Sequence, residues 1–272
     1  MSLEKAPTPR ICKIERIEGI GGNEVAFSPE RGGIITSLKL AGTEVLYMDD
    51  STFRDPSKNV RGGIPLLFPQ AGPGDETLFP GLKQHGLARL SHDWTRDEPP
   101  TSQPGSFAES LTMLLPPPSY PYMFRTRVTG TFDESGVFEL TQSATNLELE
   151  KHMPIAMGLH PYFKVPANER QNIVFDFPGG EQAKQNAETW MNDGTVSLDN
   201  PGVPMRVVIP TVGTLVLTAS PEYKKVWLWS KPDSDFICIE PVMRDEGGIV
   251  NDPCLVAPTE TISASLSVSL ER

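Results

Sequence analysis

The chain has 272 residues, of which 38% are hydrophobic and 22% are charged, the usual balance of a soluble globular protein with a full core. Its formal net charge of −11 argues against a general affinity for nucleic acid and disfavours anionic membranes. The three cysteines lack the spacing of a disulfide framework or a metal site.

The beginning of the chain shows no targeting signal. Met1–Pro7 lacks the apolar core of a signal peptide, and no apolar run in the chain approaches the length of a membrane span. We therefore expect a cytoplasmic protein with neither nucleic acid nor membrane as a partner.

Strand patterns dominate the chain, whereas helical periodicity is weak. In chain order, strands are predicted at Glu24–Phe27, Ile34–Leu40, Glu44–Tyr47, Phe124–Phe132, Val137–Thr145, Ile173–Phe177, Arg206–Ile209, Thr214–Thr218, Lys225–Trp229, Phe236–Glu240 and Ile262–Leu270. A turn at Asp133–Gly136 makes a hairpin of two of them, and a short helix is predicted within Glu181–Trp190. These elements predict one all-β domain over residues 1–272, a large antiparallel β-sandwich of two stacked sheets with few short helices.

A long Gly- and Pro-rich loop, Phe68–Gly86, interrupts the strand pattern. Loops of this length are uncommon in compact domains and are often functional. Polar residues flank it, with Arg61 before the loop and Gln84, His85 and Arg89 around its end. They are either ordinary surface residues or the wall of a polar pocket, in which arginine would suit hydroxyls or a phosphate. Arg61 also precedes two glycines, where backbone could approach a ligand.

Two ionisable residues end apolar stretches that read as buried strands. His160 lies within Met153–Phe163, and Glu240 follows Phe236–Ile239 and precedes Pro241, which is expected to end the strand. Such groups are costly to bury unless they are paired or used. One interpretation is a capping histidine and a solvated carboxylate, and the other is a general acid and a general base.

Burial is expected to raise the pKa of Glu240, while a nearby carboxylate or carbonyl would raise the pKa of His160 or fix its tautomer. The four histidines lack close spacing, so no metal site is predicted, and no cofactor motif occurs. We expect most of the four tryptophans to pack in the core.

Four segments, in this order, resemble the aldose 1-epimerase (mutarotase) superfamily, and most closely its glucose-6-phosphate 1-epimerase (hexose-6-phosphate mutarotase) branch. They are Arg61–Pro65 with Phe68–Pro69, Gln84–Arg89, Gly158–Phe163 and Cys238–Pro241. The resemblance implies the galactose mutarotase-like sandwich and interconversion of the α and β anomers of a hexose or hexose 6-phosphate, without cofactor or metal.

The resemblance also implies a role for each candidate residue. Glu240 would take the proton of the C1 hydroxyl, and His160 would protonate the ring oxygen. The substrate-binding residues would be Arg61, Gln84, His85, Arg89 and, as the substrate-binding aspartate, Asp193.

Two other functions remain open from the residues alone. A non-catalytic carbohydrate-binding protein could share this fold, because fold does not fix function. A glycoside hydrolase would need two carboxylates around the glycosidic bond, whereas the sequence offers one well-placed carboxylate and a histidine.

Overall fold

The computed structural model describes residues 12–271, so Met1–Pro7, on which the expectation of no targeting signal rests, lies outside the described residues. Twenty strands occur within these residues. They are β1 (Glu15–Glu18), β2 (Glu24–Ser28), β3 (Ile34–Leu40), β4 (Thr43–Glu44), β5 (Leu66–Leu67), β6 (Thr95–Asp97), β7 (Phe107–Met113), β8 (Phe124–Phe132), β9 (Phe138–Asn146), β10 (Met153–Ile155), β11 (Gly158–Leu159), β12 (Tyr162–Lys164), β13 (Val174–Asp176), β14 (Val196–Asp199), β15 (Met205–Ile209), β16 (Gly213–Ala219), β17 (Lys225–Trp229), β18 (Phe236–Val242), β19 (Cys254–Val256) and β20 (Thr261–Glu271).

Helices are few and short. Over residues 12–271 they are α1 (Asp50–Arg54), α2 (Gly180–Gln185), α3 (Ala187–Met191) and α4 (Gly248–Asn251). The predicted helix over Glu181–Trp190 is therefore two helices, which meet at Asn186 outside helical geometry (φ −100°, ψ 20°). No helix among the described residues is long and apolar enough to cross a membrane.

The strands form four sheets, and every ladder is antiparallel. The largest has the order β13-β15-β16-β20-β9-β8-β7-β6. The second has the order β14-β17-β18-β11-β5, with β12 also on β18. A four-stranded sheet, β1 to β4, and the pair β10-β19 complete the fold, where the sequence predicted only two stacked sheets.

The two large sheets pack on one shared core. In β8 every second residue is buried, and β20 keeps the alternation of its apolar residues and serines in its middle. Buried residues of both large sheets share one apolar cluster, in which Phe124 of β8 packs on Phe68, the residue directly after β5, with ring centroids 4.7 Å apart. The predicted all-β antiparallel sandwich is confirmed, whereas a single domain over 1–272 stays a prediction.

Two observed strands differ locally from the predicted ones. Instead of a strand over Glu44–Tyr47, the structure has the short β4, and beyond it Leu46 forms only an isolated bridge to Phe163. The strand predicted to end before Pro241 instead continues to Val242, and β18 is buried along its whole length. The prediction was wrong because a proline needs only a position where the ladder requires no N–H donor.

The long loop Phe68–Gly86 is observed as predicted, without helix or strand of its own. Its ends meet in a parallel bridge between Phe68 and Gly86. A Cβ on Gly86 would lie 2.1 Å from the Phe68 carbonyl oxygen, so this closure requires glycine. The loop therefore returns to its start and presents His85 beside the six-stranded sheet.

Candidate functional site

One face of β18 forms the floor of a cleft. Cys238 and Glu240 are two residues apart and therefore point to the same side of the strand. On the β17 side, Glu240 pairs with Trp227 and Cys238 with Trp229, so both tryptophans share that face. The register of two strands thus gathers a carboxyl, a thiol and two indoles.

The other neighbour of β18 supplies the histidine. Gly158 of β11 pairs with Val242, and Tyr162 of β12 pairs with Cys238. Continuing that register through the break between β11 and β12 places His160 opposite Glu240. Pro161, which has no N–H for the ladder, lies in the break.

The predicted acid and base meet at the cleft floor. His160 Nδ1 lies 3.5 Å from Glu240 Oε1, and both side chains are buried. Tyr162 stacks on the imidazole at 4.7 Å between centroids, with an interplanar angle of 5°, and fixes its plane. Neither His160 Nδ1 nor Glu240 Oε2 has a hydrogen-bond partner among the described residues. Both atoms are therefore left for a ligand or a proton.

The cleft above this floor has a volume of about 660 Å³, large enough for a hexose. All seven residues predicted for the site line it, although their roles stay predictions. The lining residues are Asp49, Ser51, Thr52, Lys58, Asn59, Val60, Arg61, Gly72, Gln84, His85, Arg89, His160, Tyr162, Asp193, Thr195, Trp227, Trp229, Lys231, Glu240 and Glu246.

Burial governs the protonation of the pair. It raises the pKa of Glu240 well above its ordinary value, with Arg89 opposing the shift, as the sequence suggested. Burial, together with His85 and Arg89, lowers the pKa of His160 well below its ordinary value. A raised histidine pKa, one of the two expected outcomes, was wrong, because desolvation and the neighbouring His85 and Arg89 lower the pKa of His160 although Glu240 lies 3.5 Å away. Both shifts favour the arrangement in which Glu240 carries a proton and His160 is neutral.

His85 is a neutral hydrogen-bond donor. Its backbone N–H donates to the Gly72 carbonyl at 2.7 Å, and its Nδ1 accepts from the Gly72 N–H at 3.0 Å. The neutral ring therefore carries its proton on Nε2. Burial and Arg89 lower the pKa of His85 to about 3, and its ring packs edge-on against His160 at 5.4 Å. Its φ of 62° is strained for a non-glycine residue, which is common at functional sites.

Arg89 brings a cation close to the pair. Its guanidinium donates to the Gln84 carbonyl at 3.1 Å, while its buried Nε has no partner among the described residues. Burial lowers the pKa of Arg89 to about 10, a shift that Tyr162 and Glu240 oppose, and the group stays charged at neutral pH. Arg89 is thus the positive charge nearest the floor, whereas Gln84 lies exposed at the cleft wall.

Arg61 and Asp193 lie at the exposed rim. The glycines after Arg61 do not approach a ligand, because a Cβ on Gly63 would lie 2.0 Å from the Ile35 carbonyl oxygen. They serve close backbone packing instead. Asp193 Oδ1 accepts from Trp229 Nε1 at 3.1 Å, and Lys231 Nζ lies 3.9 Å from Oδ2. The carboxylate of Asp193 is therefore held at the rim of the cleft by Trp229 and Lys231.

Sequence reasoning missed several lining residues. Lys58 and Lys231 carried no recognisable motif, and Tyr162 was only part of one. Trp94 and Trp190 pack in the core as expected, with each indole N–H on a backbone carbonyl, but Trp227 and Trp229 line the cleft. The sequence does show that Trp227 and Trp229 alternate along one strand as Cys238 and Glu240 do along the next. That alternation indicates a common face only once the register of the two strands is known.

The structure also gathers possible metal donors that sequence spacing did not suggest. One donor atom each of His160, Cys238 and Glu240 lies within 4.8 Å of the others. Neither the histidine spacing nor the cysteine spacing predicted this set, because it is mixed and comes from β18 and from the break between β11 and β12.

Curated proteins and solved structures resemble the chain. It is 32% identical over 150 residues to the chromosomal protein LacX of Lactococcus lactis subsp. lactis, covering 51% of this chain and 47% of that protein. It is 29% identical over 143 residues to a Cenchrus ciliaris protein named "Putative glucose-6-phosphate 1-epimerase", covering 49% of this chain and 42% of that protein. The chain spans about half the length of these curated relatives.

The solved structures show the fold. The Slr1438 protein of Synechocystis sp. PCC 6803 superposes with a TM-score of 0.83 at 23% identity, over 99% of this chain and 100% of that one. A galactose mutarotase-like protein of Clostridium acetobutylicum superposes with a TM-score of 0.73 at 18% identity, over 97% of this chain and 98% of that one.

The sequence profile of the aldose 1-epimerase family matches residues 19–201. That span includes six of the seven predicted site residues and stops before Glu240, which joins the site through the β18 register. Because the match covers more than half of the chain, this protein belongs to the aldose 1-epimerase family.

Proposed function

We propose that this protein is a mutarotase, which interconverts the α and β anomers of a hexose or a hexose 6-phosphate. The observation that carries the proposal is the buried pair, with His160 Nδ1 3.5 Å from Glu240 Oε1 on the floor of a hexose-sized cleft. Family membership supports the same reaction. The expected cytoplasmic location belongs to this proposal, since these sugars are metabolised there.

The reaction needs proton removal and proton donation on the same hemiacetal. In the productive form, Glu240 is a carboxylate and takes the proton of the C1 hydroxyl, while protonated His160 donates to the ring oxygen. The C1–O5 bond breaks, giving an open-chain aldehyde. Rotation about C1–C2 and the reverse proton transfers give the other anomer. Each positioned proton-transfer group contributes typically ~100- to 10,000-fold.

The proton on the pair moves between two arrangements. Burial favours protonated Glu240 beside neutral His160, and the productive arrangement holds the same single proton on His160 instead. A bound sugar whose hydroxyl donates to the carboxylate would favour the productive arrangement. Arg89 lowers the pKa of both groups, so its charge stabilises the Glu240 carboxylate and also opposes the charge on His160.

The walls of the cleft would hold the sugar. His85 would donate from Nε2 to a substrate oxygen, and Trp227 and Trp229 would offer apolar faces to the ring. Arg61, Lys58 and Lys231 at the rim would suit hydroxyls or a 6-phosphate. Asp193, held by the Trp229 indole, would accept from a hydroxyl.

The test is anomer exchange on freshly dissolved α-glucose, α-galactose and α-glucose 6-phosphate, followed by polarimetry and by NMR exchange spectroscopy. We expect a rate above the uncatalysed one for at least one of them. A rate equal to the buffer control for every sugar, together with measurable sugar binding, would make the protein a carbohydrate-binding relative instead.

A further inference from the structure

We propose that His160, Cys238 and Glu240 form a Zn²⁺-binding site at the cleft floor, and that a bound zinc ion excludes the sugar. One donor atom of each residue lies within 4.8 Å of the other two. The zinc ion itself would contribute nothing to anomer exchange and would inhibit it.

Strand geometry explains why the three donors converge. Cys238 and Glu240 alternate on one face of β18, and His160 follows β11 at the position opposite Glu240. All three side chains are buried, two on β18 and one in the short break between β11 and β12. A site on rigid elements loses little conformational entropy when it takes a ligand.

Two donor atoms of this set are unsatisfied without a ligand. His160 Nδ1 and Glu240 Oε2 are buried and have no hydrogen-bond partner among the described residues, and their side chains are only 7% and 3% exposed. The 3.5 Å contact between Nδ1 and Oε1 lacks hydrogen-bond geometry. A cation between these atoms would satisfy both, which is the observation that points to a ligand rather than to packing.

The donor chemistry selects zinc. An imidazole nitrogen, a thiolate and a carboxylate oxygen are its preferred ligands, and three protein ligands leave a fourth position open, here towards the cleft. Bonds of roughly 2.0–2.3 Å require the donors to contract by about 1 Å from their present spread. Mg²⁺ and Ca²⁺, which require oxygen ligands, would not compete. Binding as thiolate releases the thiol proton to solvent.

Zinc binding can be tested separately from the inhibition of anomer exchange that it would cause. The metal would occupy the lone pairs of the two groups that the proposed function assigns to proton transfer, so the predicted inhibition rests on that function. Metal binding itself does not, because it depends only on the three donors.

The experiment uses Co²⁺ as a spectroscopic probe on the full chain, freed of metal with a chelator. We expect one equivalent of Co²⁺ to give a thiolate-to-cobalt charge-transfer band, and one equivalent of Zn²⁺ to abolish it. Cys238→Ser should lose the band and weaken zinc binding by at least tenfold, since loss of an outer-shell partner alone costs roughly 10- to 100-fold. Cys254→Ser, a thiol outside the donor set, is the matched control and should keep both.

Glu240→Gln provides a second variant if Cys238→Ser fails to fold, as judged by circular dichroism. It should keep the charge-transfer band but bind Zn²⁺ more weakly than wild type. A wild-type protein without a band, a band that survives in Cys238→Ser, or equal zinc affinity in Glu240→Gln would each overturn the site. A band without anomer exchange would instead retain the site and reject the mutarotase function.

Discussion

Two buried carboxyl groups lie in the two large sheets and have different surroundings. Glu240, in the six-stranded sheet, opens on the cleft and has His160 at 3.5 Å. Glu109, in β7 of the eight-stranded sheet, is fully buried and does not line the cleft. Its two oxygens have no hydrogen-bond partner among residues 12–271.

Burial raises the pKa of both groups, that of Glu109 to about 8. Arg96, opposite Glu109 in the strand register, opposes the rise, but its guanidinium donates to Glu15 at 2.9 Å instead. A raised pKa by itself therefore marks burial and not function. What distinguishes Glu240 is a proton-transfer partner and access from the cleft.

The largest expected difference between the two carboxyls is in catalysis. Glu240→Gln keeps the shape and removes the base, and we expect it to lower kcat at least ~100-fold. His160→Asn, which removes the acid, should have a loss of the same order. Glu109→Gln should leave turnover unchanged. The measurement is polarimetric anomer exchange with background subtraction, after circular dichroism has verified folding.

Near-normal turnover in Glu240→Gln or His160→Asn would remove that residue from the mechanism. A comparable loss in Glu109→Gln would show that burial of any carboxyl in this fold affects catalysis, and the comparison would then carry no functional information.

A second effect concerns stability: both raised carboxyl pKa values contribute to it, and at Glu109 the contribution can be removed without changing the cleft. The pKa of Glu109 is about 8 in the folded protein and near 4.5 when unfolded. Between these values the unfolded chain releases the proton first, so the free energy of unfolding falls as pH rises, by on the order of a few kcal/mol in total. Glu109→Gln should remove this contribution to the fall, as measured by urea unfolding at about pH 5 and about pH 8. Parallel pH dependences in wild type and variant would mean that Arg96 neutralises the group.

Charge recognition at the cleft should give a smaller effect. If Arg89 binds a 6-phosphate, Arg89→Ala loses a charge-assisted contact of about 1.5–3 kcal/mol, or roughly ten- to over a hundred-fold in affinity. The loss of affinity should be much larger for glucose 6-phosphate than for glucose, because the role of Arg89 beside Glu240 is common to both sugars. Lys83→Ala is the control, because Lys83 is a basic residue of the loop Phe68–Gly86 that is exposed and does not line the cleft. Equal losses for both sugars would assign Arg89 to hydroxyls.

The smallest expected effect is in the pH profile of kcat/KM. The pair must hold one proton, so the profile should be bell-shaped. Because the pKa of His160 is lowered and that of Glu240 is raised, the acid limb follows His160 and the alkaline limb follows Glu240. The pH profile of Glu240→Gln should therefore lack the alkaline limb that the wild-type profile shows. An unchanged alkaline limb in that variant would assign it to another residue.

Local patterns in the sequence were enough to predict the regular parts of the fold. The hairpin of β8 and β9 could be predicted because its turn and its alternation are both encoded within about two dozen residues. The same holds for the serine face of β20. The candidate residues His160, Glu240, His85 and Arg89 were likewise recognisable, since each is an unusual residue type in its immediate sequence context.

Contacts between distant segments were decided only by the tertiary structure. His160 and Glu240 are 80 positions apart in the numbering, and the register of β11 and β12 on β18 alone places them opposite each other. That register depends on how whole sheets bury their apolar faces, which no single segment specifies. For the same reason the lowered pKa of His160 and the neutral donor form of His85 could not be predicted. Both result from desolvation and from hydrogen bonds that exist only after the loop Phe68–Gly86 closes on the sheet.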